Sequence, residues 1–552
     1  MKKIKFFSAL VVTLLLIGGV VMAQGTTSKI IGTVTDKDGT PLPGVTVKAT
    51  NPKMVGEAST VTDENGTYRL LALVPGNFKL TFTLEGFQTV VRENIILTIE
   101  QTLTVKATME LGKIQEQIVV TGQAPLIDVK SMARGMTLTK EVFQTLPKGR
   151  NFDSLVTAIP GVSAEPSLVG NSFDGASGLE NVYYIDGTDT TNIANGSRGQ
   201  GAAFDFVDEV QVKSSGYQAE FGGSLGGVIN VVTRSGGNEF HGEVVGYYSG
   251  YPLRTKYRDV LDLDLNDDSK AQYYKYDYFY GDNKDHRFEG GLNIGGYILK
   301  NKVWFFGSFL PVYYTNTRTV TYLDGVSKDW KRTENSWNFS AKITAQPWKN
   351  LRLSASVVNN FYKYKGELSN IFGNENPATS FDDYGFSYPN MSANGTADLT
   401  LGNNFLLSVR GGYFRTNVNN MLIQPSGPCL QFLTEAPGGY FKTTNVGLLD
   451  VPVSYQKPSG WINYPRSQSQ VVNKEVDLKW NVGADLTYFL NLAGEHSWKM
   501  GVNFKRQGQD YSNVANYPVL FFGWDRDFIA YGENYGRGKY GYYGVRGNDL
   551  TG

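Results

Sequence analysis

The residue types that most often carry catalytic or metal chemistry are scarce in this chain. Its 552 residues include one cysteine, Cys429, and three histidines, His241, His286 and His496. A nucleophilic cysteine needs a histidine base, and a catalytic zinc needs several His or carboxylate ligands. The histidines are far apart in sequence and lie in strand-like segments, so we interpret them as surface or girdle residues. A single cysteine also forms no disulfide within the chain. We predict a protein that is not an enzyme and uses no cofactor or metal.

Two further patterns imitate ligand sites. Acidic and amide side chains occupy every second position of one segment: Asp262, Asp264, Asn266 and Asp268. A calcium-binding EF-hand loop requires Gly at Asp267 and Glu at Tyr273, so we interpret this segment as a solvated loop. The glycines of 222–227 lack the Lys-Ser/Thr ending of a phosphate-binding loop, and no helical pattern follows. They indicate tight backbone packing.

Composition narrows the class of protein. Lys plus Arg and Asp plus Glu both number 52, so no net charge favours nucleic-acid binding. The chain holds 63 Gly, 33 Tyr and 31 Phe, a composition typical of many strands joined by tight turns.

The first residues have the pattern of an export signal. A basic start, Met1 to Lys5, precedes an apolar stretch, Phe6 to Val21, and small or modest side chains lead to Ala23. We predict cleavage after Ala23, giving a signal peptide at 1–23. The alternative is an N-terminal membrane anchor, for which the apolar run is short.

Residues 24–112 are predicted to form a β-sandwich. Apolar residues alternate with polar ones along three runs, which are 45–50, 78–85 and 103–111. This period of two gives a strand one apolar and one polar face. The turn sequences 36–39, 63–66 and 75–76 separate the runs.

The sequence of this segment resembles the carboxypeptidase regulatory-like domain at 32–36, 41–45 and 62–68. The resemblance implies a transthyretin-like, carbohydrate-binding-like fold. It implies no peptidase, because the segment contains no histidine to ligate zinc. Its Asp-rich turns could hold calcium, but hairpin turns favour the same residues for backbone reasons, and we prefer that interpretation.

After Gly242 the alternation becomes longer. Nine strands are predicted, at 240–249, 286–298, 302–314, 334–346, 350–363, 392–402, 404–416, 473–490 and 496–511. Short turns alternate with long connections between these strands. The long connections are at about 250–285, 315–333, 364–391 and 417–472. Amphipathic strands of roughly ten residues with this alternation of loop lengths indicate a transmembrane β-barrel, with aromatic girdles near the strand ends. The tyrosine-rich run 273–280 lies in the first long loop, where it either contacts a ligand or extends a strand.

Between the sandwich and the barrel, several phrases occur in a characteristic order. Asn151 is predicted to cap a short helix that ends at Pro160-Gly161, 182–187 reads as a strand entering an Asp-Gly turn, and strand-and-glycine runs follow to about 238. This series resembles the plug domain of TonB-dependent receptors, in the Oar-like group that carries a regulatory-like domain in front.

A short polar and β-branched segment resembles the TonB box: Glu116, Gln117, Ile118, Val119, Val120, Thr121 and Gly122. The alternative is that this segment is the last strand of the sandwich or the first of the plug.

The resemblance implies a mainly β protein: an N-terminal sandwich (24–112), an α/β plug (113–239) and part of a large antiparallel barrel (240–552). It implies a receptor in the bacterial outer membrane, with sandwich and plug facing the periplasm. Such a receptor imports an extracellular small molecule, carbohydrate or peptide, driven by TonB with ExbB and ExbD. The alternatives are a barrel for export or adhesion and a secreted carbohydrate-binding protein. Because bacterial barrels have even strand numbers and nine strands leave open edges in lipid, we expect the natural gene to continue past Gly552.

Overall fold

The structure is a computed structural model. The structure describes residues 27–51, 58–112, 117–120, 134–145, 149–165, 170–217, 221, 223–255, 260–262, 272–274, 282–322, 325–369, 385–421, 429–432, 461–463, 471–491, 495–515, 519–523, 526–530, 533–538 and 542–546. The predicted signal peptide, the acidic segment 263–268 and most of the tyrosine run 273–280 lie outside these residues.

The N-terminal unit is the predicted β-sandwich. Its strands are β1 (Ser28–Asp36), β2 (Thr46–Thr50), β3 (Ala58–Val61), β4 (Thr67–Leu73), β5 (Gly76–Thr83), β6 (Thr89–Leu97), β7 (Thr102–Thr104), β8 (Ala107–Met109) and β9 (Gln117–Val120). One sheet has the order β4-β1-β7 with β8 also on β1, and the other has the order β3-β2-β5-β6-β9.

The predicted alternation builds the sandwich core. Val47, Leu80 and Phe82 are fully buried between the sheets, with most of the other apolar alternates. The run 103–111 is not one strand, because it breaks at Val105, where the Tyr68 hydroxyl donates a hydrogen bond to the Val105 carbonyl at 2.7 Å. Leu111 is exposed, so the predicted apolar face ends before it.

The plug follows, with β10 (Arg134–Thr139), α1 (Lys140–Thr145), α2 (Asp153–Val156), β11 (Val162–Ala164), β12 (Asn171–Phe173), β13 (Val182–Ile185), β14 (Thr188–Asp189), β15 (Val207–Ser215) and β16 (Val228–Thr233). Single 3₁₀ turns lie at Gly178–Glu180 and Phe204–Phe206. Its mixed sheet has the order β10-β15-β16-β13-β14.

One helix prediction needs correction. The predicted apolar face is buried, as Phe152, Leu155, Val156 and Ile159 show. The helix itself is a single turn, however, and no side chain caps it. The Asn151 carbonyl, rather than its side chain, serves this turn, because it accepts bonds from the Ser154 amide and hydroxyl.

Nine long antiparallel strands form a curved wall beside the plug, and their number matches the prediction. They are β17 (His241–Gly250), β20 (Asp282–Leu299), β21 (Val303–Thr321), β22 (Ser327–Trp348), β23 (Leu351–Lys365), β24 (Gly385–Leu401), β25 (Phe405–Met421), β27 (Val471–Asn491) and β28 (Glu495–Ala515), and each pairs with the next. A 3₁₀ turn at Tyr251–Leu253 follows the first.

Short strands lie within and after the long connections. They are β18 (Val260–Asp262), β19 (Gln272–Tyr274), β26 (Cys429–Phe432), β29 (Val519–Gly523), β30 (Arg526–Ala530), β31 (Glu533–Gly538) and β32 (Tyr542–Arg546). Strands therefore also follow the last wall strand, and β26 pairs with β29.

The predicted long connection at 315–333 is wrong. β21 and β22 pair continuously from Thr315 with Thr333 to Thr321 with Ser327, leaving only a short turn. Both faces of this extension are largely polar, so it carries no period-two hydrophobic signal, although the backbone ladder continues. The short turns that separate the predicted strands near 300, 348 and 402 are confirmed.

The wall has opposite polarity on its two faces. Large apolar side chains are exposed on the outside, including Ile294, Phe309, Ile343, Val482 and Val502. Buried polar side chains on the alternate positions face the plug, including Asn293, Ser308, Ser340, Thr344, Asp398, Ser408 and Asp485. This inversion is the arrangement of a sheet with lipid outside and polar contents inside.

Candidate functional site

The TonB-box-like segment forms the edge strand of the sandwich. Residues 117–120, as β9, pair in parallel with Thr89–Arg92 of β6. Glu116, Thr121 and Gly122 lie outside the described residues. The backbone of residues 117–120 is therefore the last strand of the sandwich, as the alternative interpretation predicted. An edge strand also keeps one side available for β-augmentation by a partner, so the coupling role stays a prediction.

The sandwich contacts the plug through one turn. The Ile99 amide donates to the Glu209 carboxylate at 2.9 Å, and the Gln211 side-chain amide donates to the Ile99 carbonyl at 3.0 Å. Lys213 pairs with Glu100 at 2.5 Å. Glu209, Gln211 and Lys213 all lie on one face of β15, so the turn binds a single plug strand.

The sandwich also contacts the wall. The Arg69 guanidinium donates to the Asn404 side-chain oxygen at 3.4 Å and lies over the ring of Phe489. The Asn403 side-chain amide donates to the Val61 carbonyl at 3.2 Å. Asn403 and Asn404 form the tight turn between β24 and β25, so the sandwich lies at the short-turn end of the wall.

A cavity of 440 Å³ lies where the three parts meet. Its lining comes from the sandwich (Val74, Pro75), the plug (Lys140, Arg234) and the wall (Arg352, Asp398), among others. The sandwich therefore covers part of the seam between plug and wall.

Asp186 is the centre of the first buried polar contact between plug and wall. Its carboxylate accepts bonds from the Thr233 amide at 2.9 Å and hydroxyl at 2.5 Å within the plug. From the wall, the Lys342 ammonium approaches at 3.2 Å and the Ser356 hydroxyl donates at 2.7 Å. The Asn394 side chain donates to the Asp186 carbonyl at 2.7 Å. Five groups from four wall and plug residues thus hold one turn residue.

Asp189 forms the second contact, three residues further on. Its carboxylate accepts from the Thr191 amide at 2.9 Å and from the Lys479 ammonium of the wall at 3.0 Å. Lys505, from the last wall strand, also pairs with it. Two lysines around one buried carboxylate form a local network, and a buried charge needs such partners to be tolerated.

Arg150 forms a third contact at the start of the plug helix turn. It donates to Glu289 of the wall at 2.7 Å and to Asp205 of the plug at 2.5 Å. Its guanidinium lies 3.7 Å from the ring centre of Tyr247, also in the wall. Arg287 holds the other Glu289 oxygen at 2.7 Å.

The pKa values of these plug residues follow from their partners. Burial raises the pKa of the Asp186 carboxyl, but the Lys342 charge and the bonds from Thr233 and Ser356 outweigh it, so the pKa lies below its ordinary value. Burial also raises the pKa of the Asp189 carboxyl, but the charges of Lys479 and Lys505 outweigh it, so this pKa too lies below its ordinary value. Burial lowers the pKa of Arg150, whereas Glu289 and Asp205 raise it above its ordinary value. All three groups are therefore charged at neutral pH.

Sequence reasoning missed the binding role of these residues. Asp186 was predicted only as a turn former, and it does form the Asp-Gly turn with φ of 48° and 84° at 186 and 187. The wall approaches this part of the plug closely: a Cβ on Gly412 of the wall would lie 2.7 Å from the Thr188 hydroxyl oxygen. Charged residues at inward positions of amphipathic strands, such as Lys342 and Lys479, were the available signal.

The residues weighed for other chemistry are dispersed. His241 and His496 are exposed, and His286 shares a hydrogen bond of 2.9 Å with the Tyr248 hydroxyl. Oxygens of Asp36 and Asp63 accept backbone amide bonds within their own turns, which supports the turn interpretation over calcium. Within the described part of the chain, no cluster of three or more His, Cys, Asp or Glu residues could hold a metal ion.

Helices provide no membrane crossing in the residues that the structure covers, because none is both long and apolar enough.

Comparisons with known proteins agree with the sequence reading. Residues 29–110 match the carboxypeptidase regulatory-like domain. The chain is 35% identical over 321 residues to the TonB-dependent transporter Oar of Myxococcus xanthus, covering 56% of this chain and 29% of Oar. It is 27% identical over 234 residues to the TonB-dependent receptor P39 of Formosa agariphila, covering 40% and 21%. The match thus spans less than a third of the length of either relative.

The outer membrane transporter YddB from Escherichia coli matches with a TM-score of 0.48 and 14% identity, covering 75% of this chain and 52% of YddB. The siderophore receptor PirA from Acinetobacter baumannii matches with a TM-score of 0.44 and 14% identity, covering 71% and 50%.

The order of sandwich, plug and amphipathic wall, together with the match to Oar and the domain match at 29–110, confirms the resemblance. Over 56% of its length the chain is therefore similar to a TonB-dependent transporter, and residues 29–110 form a carboxypeptidase regulatory-like domain.

Proposed function

We propose that this protein is an outer-membrane receptor that binds an extracellular ligand and imports it with energy from TonB, ExbB and ExbD. The observation that carries the proposal is a wall with apolar side chains outside, and a plug attached to its polar inner face by buried ion pairs. A wall of this polarity suits lipid, since strands can satisfy their backbone groups there only by pairing.

The plug contacts favour regulated passage over a permanently closed adhesin. Ion pairs and hydroxyls dominate the Asp186 and Asp189 contacts, and water can solvate such groups when they separate. An apolar interface of the same size would gain more from staying closed. The plug can therefore be firmly seated and still be displaced by an external pull.

The pull would enter through residues 116–122, between the sandwich and the plug. We propose the division that the sequence suggests: signal peptide 1–23, sandwich 24–112, plug 113–239 and barrel strands 240–552. The sandwich and plug face the periplasm in this proposal, because the sandwich lies at the short-turn end, and bacterial barrels place short turns there.

A plug-accessibility assay tests the function without a known ligand. Ala202 is fully buried in the core that plug and wall share. In a Cys429→Ala background, the Ala202→Cys thiol would be labelled in intact cells by a membrane-impermeant maleimide added outside, together with the growth medium that supplies ligands.

We expect labelling to be faster in energised cells than in cells treated with a protonophore or lacking TonB. Equal labelling in all three would count against energised import. Labelling that is fast in every case would instead indicate an open export pore, the main alternative.

A further inference from the structure

The sandwich joins the coupling strand and the plug through one continuous stretch of chain. β6 pairs with β9 along Thr89–Arg92 and ends at Leu97. The turn Thr98–Gln101 follows at once, closed by a bond from the Gln101 amide to the Thr98 carbonyl. The same turn makes the contacts to β15. A load on β9 therefore crosses the hydrogen bonds to β6 and then has a short covalent route, along β6, to the plug contact.

The turn is built to hold this contact. Ile99 is buried, and both its backbone amide and its carbonyl are bonded to plug side chains. Glu100 has a φ of 57°, a left-handed conformation that is unfavourable for a residue with a side chain. That conformation aims its carboxylate at Lys213, and both side chains are largely shielded from water, with 11% and 13% exposed. Such conformations persist where the surroundings fix them.

The receiving strand is well placed to pass on a displacement. β15 lies inside the plug sheet, between β10 and β16. β16 carries Thr233, whose amide and hydroxyl hold Asp186. A shift of β15 therefore reaches the plug–wall contact at Asp186 through one neighbouring strand.

We propose that the sandwich is a mechanical link that stays paired with β9 while TonB pulls, and passes the load through the Thr98–Gln101 turn to β15. This inference rests on the proposed function. β9 is the terminal strand of its sheet as far as the described strands extend. A partner strand can therefore add to its outer side without displacing β6. The competing arrangement is strand exchange, in which β9 leaves β6.

Hydrogen exchange on the purified receptor separates these arrangements. The periplasmic domain of TonB would be added in excess, and the amides of 89–92 followed. The link predicts that their protection is unchanged or increased. A loss of protection on TonB binding would show strand exchange and overturn the link.

The plug-accessibility assay tests the second half of the route. Glu100→Ala removes the ion pair and is expected to slow energised labelling at residue 202 about tenfold. Lys79→Ala is the matched control, because Lys79 lies on β5, outside the proposed route, and pairs with Glu93 at 2.9 Å on a partly exposed part of the same sandwich. The charge exchange Glu100→Lys with Lys213→Glu should recover much of the rate.

Binding of TonB serves as the internal reference. Cross-linking of TonB to an Ile118→Cys variant should be the same with and without Glu100→Ala. If the Ala202→Cys receptor with an intact Glu100 shows no energised labelling, the proposed function fails. If it does, and Glu100→Ala labels as fast as Lys79→Ala, the link alone is overturned.

Discussion

The sandwich and the wall are made of strands with the same period of two, yet they bury opposite faces. In the sandwich, Val47 and Phe82 point inward against a second apolar sheet. In the wall, Ser340 and Thr344 point inward and Ile343 points out. The alternation fixes which residues share a face, but the material on each side decides which face is interior. The two interiors should therefore respond differently to substitution.

The largest effect is expected in the sandwich core. Phe82→Ala leaves a cavity between two apolar sheets and should destabilise the sandwich by about 3–5 kcal/mol. Exchange of the slowest sandwich amides in the intact protein measures this free energy. A loss below about 1 kcal/mol would mean that the sheets are not packed as described.

The plug–wall contact should respond to charge rather than to volume. Asp186→Ala leaves Lys342 buried without its carboxylate, and should weaken the seating of the plug by about 3 kcal/mol. The double variant Asp186→Ala with Lys342→Met should recover most of that loss, because no unpaired charge remains. Amide exchange at Thr188 reports both. Equal losses in the single and double variants would contradict an ionic contact.

A charged substitution on the outer face of the wall should destabilise the fold more than a change of a polar residue on the inner face. Ile343→Lys places an ammonium on the apolar side and should cost about 2–3 kcal/mol of folding free energy in vesicles. Ser340→Ala, on the opposite face of the same strand, is the control and should cost less than about 1 kcal/mol. If the order were reversed, the assignment of the two faces would be wrong.

Acid should have little effect until the buried carboxylates are protonated. Asp186 and Asp189 have lowered pKa values in the folded protein. Their contribution is therefore complete above the ordinary carboxylate pKa and is lost as pH falls through the lower folded values. Plug seating should be constant from pH 7 to about 5 and weaken only below about 4. Thr188 exchange, corrected for intrinsic rates, measures this. Weakening between pH 6 and 7 would point to another titrating group.

Much of the fold could be predicted from the sequence, for identifiable reasons. Hydrophobic alternation indicated the wall strands and the sandwich runs 45–50 and 78–85, because one face of each is apolar. It failed at 315–333, where both faces of the β21–β22 extension are largely polar. It also missed the break at Val105, whose carbonyl accepts a hydrogen bond from the Tyr68 hydroxyl.

The site was less predictable. Asp186 and Asp189 have the sequence signature of a turn, and nothing local shows that Lys342 and Lys479, more than 150 residues later, approach them. The candidate coupling segment, 116–122, was proposed from its resemblance to the TonB box. Its pairing with β6 was one of two interpretations that the sequence left open, since a β-branched run suits either sheet edge.

The central claim is that residues 116–122 carry the pull that moves the plug. The most direct measurement is energised labelling of the Ala202→Cys thiol after deletion of 116–122. A deletion of 371–377, in a long connection of the wall, is the matched control. β9 is an edge strand, so its removal should leave the sandwich folded. We predict that the coupling deletion reduces labelling to the rate of protonophore-treated cells, while the control deletion keeps the energised rate. Energised labelling that survives the loss of 116–122 would contradict the account.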